Sequence, residues 1–345
     1  MTFQKDILAD VLRELEQERT ASERALAERR QEVYARAPRV RQIDGALQST
    51  AAAVIRASLE AGADPTEAVA GLRESNLTLQ EERRQLLRSL GLPADYLSVK
   101  YHCPACSDLG YIGSEPCECL KARYAKKLTA RLSAVLPIED QNFESFRLDY
   151  YLETPDARIG VSPRVIMEVN FQKCREYASS FAPHAPNLLL YGSAGLGKTF
   201  LSTSIAKVVS ERGFSVSYDT AINILASYET VKFGGGDPAE AKAAIHRCES
   251  ADLLIMDDLG TELTTAFTTS AFYQLLNTRL MTRRPMIINT NLLPDQLEKQ
   301  YTPAIASRLL GEFTPLRFLG EDIRQRRRRG MTEKIQASCV QSISG

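Results

Sequence analysis

The eight residues Gly192-Ser193-Ala194-Gly195-Leu196-Gly197-Lys198-Thr199 constrain this chain more than any other part of it. They satisfy the spacing G-x-x-x-x-G-K-[ST] and stand between an apolar run, Asn187 to Tyr191, and a helical pattern, Phe200 to Glu211. A strand that stops at a glycine-rich turn and resumes as a helix collects backbone N–H groups around one point, which is a phosphate site. Lys198 then places an ammonium near the β and γ phosphates, and Thr199 offers a hydroxyl to Mg²⁺. A glycine-rich turn can match the letters by chance; the strand before it and the helix after it argue against that here.

A sheet must carry such a loop, and from about residue 145 the sequence reads that way. Short apolar runs alternate with helical segments, the pattern of a parallel sheet covered on both faces. Strands are expected at Asn187 to Tyr191, Ser215 to Tyr218, Leu253 to Met256, Met286 to Thr290 and Leu316 to Leu319. The fold class is therefore α/β, with a five-stranded parallel sheet.

The third of these strands ends in two carboxylates, Leu253-Leu254-Ile255-Met256-Asp257-Asp258. Asp257 is expected to hold Mg²⁺ through water, and Asp258 to orient or deprotonate the attacking water. Paired acids after a strand also suit a helix cap, but the phosphate loop upstream favours the metal. Many ATPases of this kind carry Glu where this chain has Asp258. The fourth strand leads into Asn291, a polar group where a sensor of the γ-phosphate would sit. Arg308 falls in a short helix after Pro303, and Arg324 at the start of the last helix. Arginines at those places suit stabilisation of transition-state charge, although an isolated arginine commonly pairs with a surface carboxylate.

Residues 1–98 are different in kind. They are rich in Leu, Ala, Glu, Arg and Gln, and read as helices broken near Pro38, Pro65 and Pro93. Leu8, Leu12, Leu15, Leu26 and Val33 form a stripe interrupted by Arg19, Ser22 and Arg29, while Leu72, Leu79 and Leu86 recur every seven residues with Leu90 following. That pattern favours a small antiparallel bundle over a long two-stranded coiled coil. Asp64, Pro65 and Glu67 suggest a capped start for the last helix of the bundle. An ATPase does not need such an appendage to hydrolyse ATP, so the bundle is expected to bind a partner.

Cys103-Pro104-Ala105-Cys106 is followed, ten residues on, by Cys117-Glu118-Cys119. Four thiolates on two tight turns suit tetrahedral Zn²⁺. A redox role is the weaker alternative, since no thioredoxin-like strand and helix surround the first pair. His102 stays outside the set as a surface histidine, and Cys174, Cys248 and Cys339 read as isolated thiols. The expected division is 1–98 helical, 99–125 zinc module, 126–144 linker, 145–330 ATPase, and 331–345 a disordered tail.

Composition closes off some alternatives. Lys plus Arg equals Asp plus Glu at 43 each, so no global positive field collects nucleic acid and DNA contact must be local. The first residues lack an apolar signal region, and no stretch approaches the ~20 apolar residues of a membrane span, which implies a soluble, cytoplasmic protein with no membrane partner.

The phosphate loop, the run Leu253 to Gly260, the run Ile287 to Leu292 and Ser307-Arg308-Leu309 together resemble the bacterial helicase-loader family of AAA+ ATPases, the DnaC and DnaI type. The resemblance covers about residues 145–330, and the N-terminal helices followed by four cysteines are similar to the DnaI arrangement in particular. It implies ATP as ligand, Asn291 as first sensor, Arg308 as the arginine finger and Arg324 as second sensor. It also implies a reduced helical lid, since few residues follow Arg324, and a homo-oligomer formed side by side through the ATPase domain. The implied partners are a replicative hexameric DNA helicase and single-stranded DNA. Lys232 and Phe233, between two helix-like segments at Thr220 to Thr230 and Pro238 to Glu249, resemble the paired-helix insertion that touches such DNA; a flexible surface loop is an equal alternative. Arg326 to Arg329 is a basic run that suits phosphates or a solvated helix end alike. The same ATPase motifs are shared by transposase-helper ATPases similar to IstB.

Overall fold

The computed structural model describes residues 3–60, 66–157 and 159–326, with backbone alone across 51–60 and 66–71. Two compact units emerge, one of Ala9–Leu120 and the other from the residues on either side of it. The proposed cap at Asp64 and Pro65, Cys339, Arg327 to Arg329 and the tail 331–345 lie outside the described residues.

The first unit is helical. α1 (Lys5–Arg36) ends where Pro38 opens α2 (Pro38–Glu60), and α3 (Thr66–Ser89) follows. Proline lacks an N–H and clashes with a preceding turn, so it ends one helix and suits the first position of the next. Arg39 meets Glu82, Asp44 meets Arg83 and Thr50 meets Asn76, so α2 and α3 run antiparallel. Leu26, Val33, Val40, Leu87 and Leu97 form the core. Within it Asp44 is the polar hub: it accepts from the Tyr34 hydroxyl at 2.7 Å and from Arg83 at 2.6 Å.

The stripe on α1 is buried as expected at Leu15, Leu26 and Val33 and differs in its first turns. Ile7, Val11, Leu15, Leu26 and Val33 are buried, with Leu8 and Leu12 half-buried. Ser22, expected to interrupt the stripe, is buried on it. On α3 the buried residue is Leu87 rather than Leu86, for the same reason: a 3.6-residue helix drifts from a seven-residue repeat.

A short hairpin of β1 (Tyr111–Ile112) and β2 (Glu115–Pro116) closes the cysteine segment, and α4 (Glu118–Ser133) follows it. The segment expected to be a linker is not one. Leu132, Leu136 and Ile138 are buried in the core of the second unit. Polar residues between them gave the linker its composition; Leu128, Leu132 and Leu136, four residues apart and all buried, are the helix-face signal that the linker reading passed over.

Beyond α4 the second unit continues with α5 (Pro163–Ser180) and then sets strands among helices: β3 (Asn187–Tyr191), α6 (Lys198–Glu211), β4 (Val216–Thr220), α7 (Ala221–Phe233), α8 (Pro238–Ser250), β5 (Leu253–Leu259), α9 (Ala266–Met281), β6 (Met286–Thr290), α10 (Pro294–Gln300), α11 (Pro303–Gly311) and β7 (Phe313–Arg317). The five long strands form one parallel sheet in the order β4-β5-β6-β3-β7. Side chains alternate across it: Leu188 and Leu190 join a core with Leu201, Ile205 and Val209 of α6, while Leu189 joins another with Leu275, Leu276 and Ile305. β7 starts three residues earlier than expected. Pro315 stands inside it, and β7 pairs only with β3, at the sheet's edge, where a missing N–H is tolerated.

This strand order positions the site. β6 inserts between the loop-bearing β3 and the acid-bearing β5, so the polar end of β6 comes between Lys198 and Asp257. Ligands of open parallel sheets collect at the carboxyl ends of such strands.

Candidate functional site

The phosphate loop joins β3 to α6 through glycines that no other residue replaces without strain. Gly195 and Gly197 have φ of 76° and 87°, and a Cβ on Gly195 would lie 2.1 Å from Asp322 Oδ1. The loop is tied from two sides. The Tyr151 hydroxyl donates to Leu196 O at 2.9 Å, and Ile323 N donates to Gly195 O at 3.0 Å.

Lys198 is buried, with its ammonium donating to Gly192 O at 2.6 Å, Ser193 O at 2.8 Å and Asn291 Oδ1 at 2.8 Å. Burial pulls its pKa down to about 8, against the pull of Asp258 and Asp257. Thr199 Oγ1 donates to Asp257 Oδ2 at 3.0 Å. A hydroxyl and a carboxylate at that separation are hard oxygen donors of the kind Mg²⁺ takes.

Asp257 and Asp258 reach the cleft by different means. Neighbours on a regular strand point to opposite faces. The pairing of β5 with β6 is irregular between Met256 and Leu259, and Asp258 adopts a left-handed φ of 53°. This bulge lets Asp257 point to Thr199 while Asp258 lines the same cavity as Lys198. Burial raises the Asp258 pKa, and the charge of Asp257 adds to the effect. A carboxylate biased toward holding a proton is suited to general-base work.

The cleft has a volume of about 830 Å³. It is lined by the loop, Asp258, Asn291 and Arg324, and on its far side by residues of the 140–151 segment, Phe146 and Tyr150 among them. Of the residues expected here, the structure thus brings together Gly192 to Thr199, Asp257, Asp258, Asn291 and Arg324. It keeps Arg308 out. That guanidinium lies over the Tyr273 ring at 4.7 Å and donates to Ala304 O, on α11 away from the cleft lining. Lys232 and Phe233 end α7 as exposed residues, with Phe233 edge-on to Phe267 at 4.8 Å. Arg326 is engaged, donating to Tyr150 O.

Sequence reasoning missed several contributors. Asn289 donates to Asp257 Oδ1 and to Ser202 Oγ, each at 2.8 Å, and the Tyr218 hydroxyl donates to Asp257 Oδ2. The polar letters of Ser215-Val216-Ser217-Tyr218-Asp219-Thr220 in a strand position were the available signal. Phe146, Tyr150 and Tyr151 had none, because they precede the first strand of the sheet.

In the first unit, Cys103, Cys106, Cys117 and Cys119 converge, all four sulfurs within 4.8 Å of one another. Sγ of Cys103 and Cys117 lie 3.7 Å apart, and those of Cys106 and Cys119 3.4 Å. Thiolates about 2.3 Å from a central Zn²⁺ in a tetrahedron have edges of about 3.8 Å, so the set fits the ion. The knuckle is stiffened by Asp108, which accepts from the backbone N–H groups of His102 and Cys103 at 3.0 and 2.7 Å. Hydrogen bonding from the Cys106 backbone draws the Cys103 thiol down to about 7, while burial and neighbouring sulfurs push Cys119 up. Cys174 and Cys248 are buried singly. Among the described residues no helix is long and apolar enough to cross a membrane.

The sequence model of the family described as IstB-like ATP binding protein matches residues 164–330. The replicative helicase loader DnaC of Escherichia coli (strain K12) is 25% identical over 122 residues, covering 35% of this chain and 49% of that protein. An ATP-binding protein in an insertion sequence of Mycobacterium tuberculosis is 26% identical over 151 residues, 42% of this chain and 59% of that protein. The replicative helicase loader DnaI of Bacillus subtilis (strain 168) is 20% identical over 242 residues, 64% of this chain and 74% of that protein. The chain spans about half the length of the DnaC it matches.

Proposed function

From the premise that residues 164–330 are an ATP-binding domain of the IstB-like family, homologous to the DnaC and DnaI loaders and to insertion-sequence ATP-binding proteins, we propose that this chain is an ATP-dependent helicase loader. In this reading it binds a replicative hexameric DNA helicase and places it on single-stranded DNA at the start of replication. Residues 1–98 grip the helicase, 99–125 hold Zn²⁺, and the ATPase domains assemble side by side.

The chemistry assigned to the residues follows from their places. The loop N–H groups and Lys198 bind the phosphates, and Thr199 and Asp257 hold Mg²⁺, which supplies charge neutralisation of the phosphates when bound. Asp258 takes a proton from the attacking water. Asn291, hydrogen-bonded to Lys198, is placed to report the γ-phosphate, and Arg324 reaches the same cleft from the C-terminal segment. Arg308, turned away from its own cleft, serves the neighbouring protomer.

A transposition helper of the IstB type shares this whole ATPase, and the family model favours it equally. The observation that carries the loader reading is the convergence of four sulfurs within 4.8 Å beside a helical bundle, apparatus that ATP hydrolysis does not require. The match to DnaI also covers more of the chain than the match to the insertion-sequence protein, 64% against 42%. A third reading, a zinc-bearing adaptor with ATP as an assembly switch, is excluded by turnover that Asp258→Asn abolishes. Capture of partners from the host lysate on the immobilised full chain with ATP tests the first two. Recovery of a replicative helicase supports the loader; recovery of a transposase replaces it with the helper.

A further inference from the structure

Besides the backbone N–H of Asp258, which donates to Oδ1 at 3.0 Å, the Asp257 carboxylate is held by side-chain donors from three different elements. Thr199, in the first turn of α6, donates to Oδ2 at 3.0 Å, and Asn289, on β6, donates to Oδ1 at 2.8 Å. The third donor is the Tyr218 hydroxyl, from β4, again to Oδ2. β4 and β6 flank β5 on opposite sides, so the carboxylate is gripped from both neighbouring strands. The roles assigned so far leave Tyr218 unused.

A carboxylate on a one-carbon stem turns freely about its last bond unless both oxygens are engaged. Asn289 fixes one of them. Its Nδ2 serves Ser202 and Asp257 together while its own Oδ1 has no partner, so the amide acts here purely as a donor. Thr199 cannot fix the other alone, because its hydroxyl oxygen is also the expected ligand of the cation. Tyr218 has no such second duty. A phenol carries its proton near neutral pH, so the hydroxyl is available there as a donor.

We propose that Tyr218 is a positioning residue for the divalent cation that accompanies ATP: its hydroxyl holds Asp257 Oδ2, and so the plane of the carboxylate, in the orientation that receives the metal's water shell. The inference rests on the nucleotide-site reading above and adds β4 to the parts of the fold on which metal affinity depends.

Tyr218→Phe isolates the claim, since it keeps the ring that packs against the core and removes only the O–H. Mn²⁺ is the probe, titrated by electron paramagnetic resonance into full-length protein saturated with a non-hydrolysable ATP analogue. The nucleotide's affinity in EDTA and the thermal midpoint are measured beside it, and Asp257→Asn sets the floor. The expected result is Mn²⁺ affinity about tenfold weaker in Tyr218→Phe, as befits one lost hydrogen bond to a charged group, with metal-free nucleotide affinity unchanged and the thermal midpoint lowered by only a few degrees, so that the chain stays folded at the temperature of the titration. Equal Mn²⁺ affinity in the variant and the wild-type chain overturns the proposal. So does an equal loss of metal-free nucleotide binding, which would make Tyr218 a general support of the fold. A wild-type chain that takes no nucleotide at all removes the site reading itself and the brace along with it.

Discussion

Lys198 Nζ and Asn291 Oδ1 lie 2.8 Å apart, joining the phosphate loop after β3 to the end of β6. The ammonium is thus held by its own loop and by the neighbouring strand at once, and both ends of that contact face the cleft. Lys198→Ala removes charge that phosphates require and little that the sheet requires. Nucleotide binding should be lost in titration, with far-ultraviolet circular dichroism retained; unchanged ATP affinity would end the nucleotide reading.

The same lysine gives a pH signature. Its pKa is about 8 in the folded chain and near 10.4 in an unfolded one. Between these values the unfolded chain holds a proton that the folded chain does not, so this group's contribution to stability rises from pH 8 to about 10.5. Urea titrations at pH 8, 9 and 10 should show the wild-type chain gaining on Lys198→Met across that window. Bound phosphate restores the charge, so nucleotide binding near pH 9 should take up a proton, seen by calorimetry in buffers of different ionisation enthalpy.

One Zn²⁺ per chain is expected from elemental analysis of protein purified without chelator. Thiolate ligation couples metal to local folding, so chelation should loosen the segment around Cys103 to Cys119 while nucleotide binding persists. Hydrogen exchange should localise the loss to that segment. Cys119→Ser should lower zinc content without abolishing ATP binding; full zinc retention would remove Cys119 from the ligand set.

Asp258→Asn should leave ATP affinity within about twofold and reduce turnover by about 10²-fold or more, the scale of general-base loss. Because burial and the Asp257 charge raise the Asp258 pKa, activity should fall on acidification above the ordinary carboxylate range. A base must be deprotonated to act, so the sign is a loss with falling pH. A rate profile flat from pH 7 down to the usual carboxylate pKa would assign the base elsewhere.

Arg308→Ala should bind ATP normally and lose about 10³-fold in turnover if the residue acts as a finger. Arg308→Ala mixed with Lys198→Ala should recover part of the hydrolysis, since one chain brings an intact pocket and the other an intact arginine. Mixtures that stay inactive with DNA present, when wild type is active, would place Arg308 in its own site or leave the chains unassembled.

Much of this site is written locally in the sequence. The loop, Asp257 and Asn291 each sit at the carboxyl end of an apolar run, and adjacency to a strand is a signal a single sequence carries. The four cysteines were legible for a similar reason, since two close pairs need only one turn each. What stayed hidden depends on relations across the sheet. Asp258 was expected in the cleft, but the bulge through which it faces that cleft was not, since no letter marks the irregularity. Tyr218 and Asn289 meet at Asp257 because β4 and β6 flank β5, an order the chain does not spell out. Residues 126–144 were read as a linker, and Phe146, Tyr150 and Tyr151 just beyond them carried no signal because they follow no period.

Leu196 is tied to Tyr151, and Gly195 to Ile323, so the phosphate loop leans on residues from both ends of its domain. During synthesis this sets an order of events. The strand and the glycines of the loop emerge early from the ribosome, but the second tie forms only once Ile323 has followed, after all five strands of the sheet. The pocket is finished last. A loop braced in this way reaches its finished shape only when the whole domain has left the ribosome.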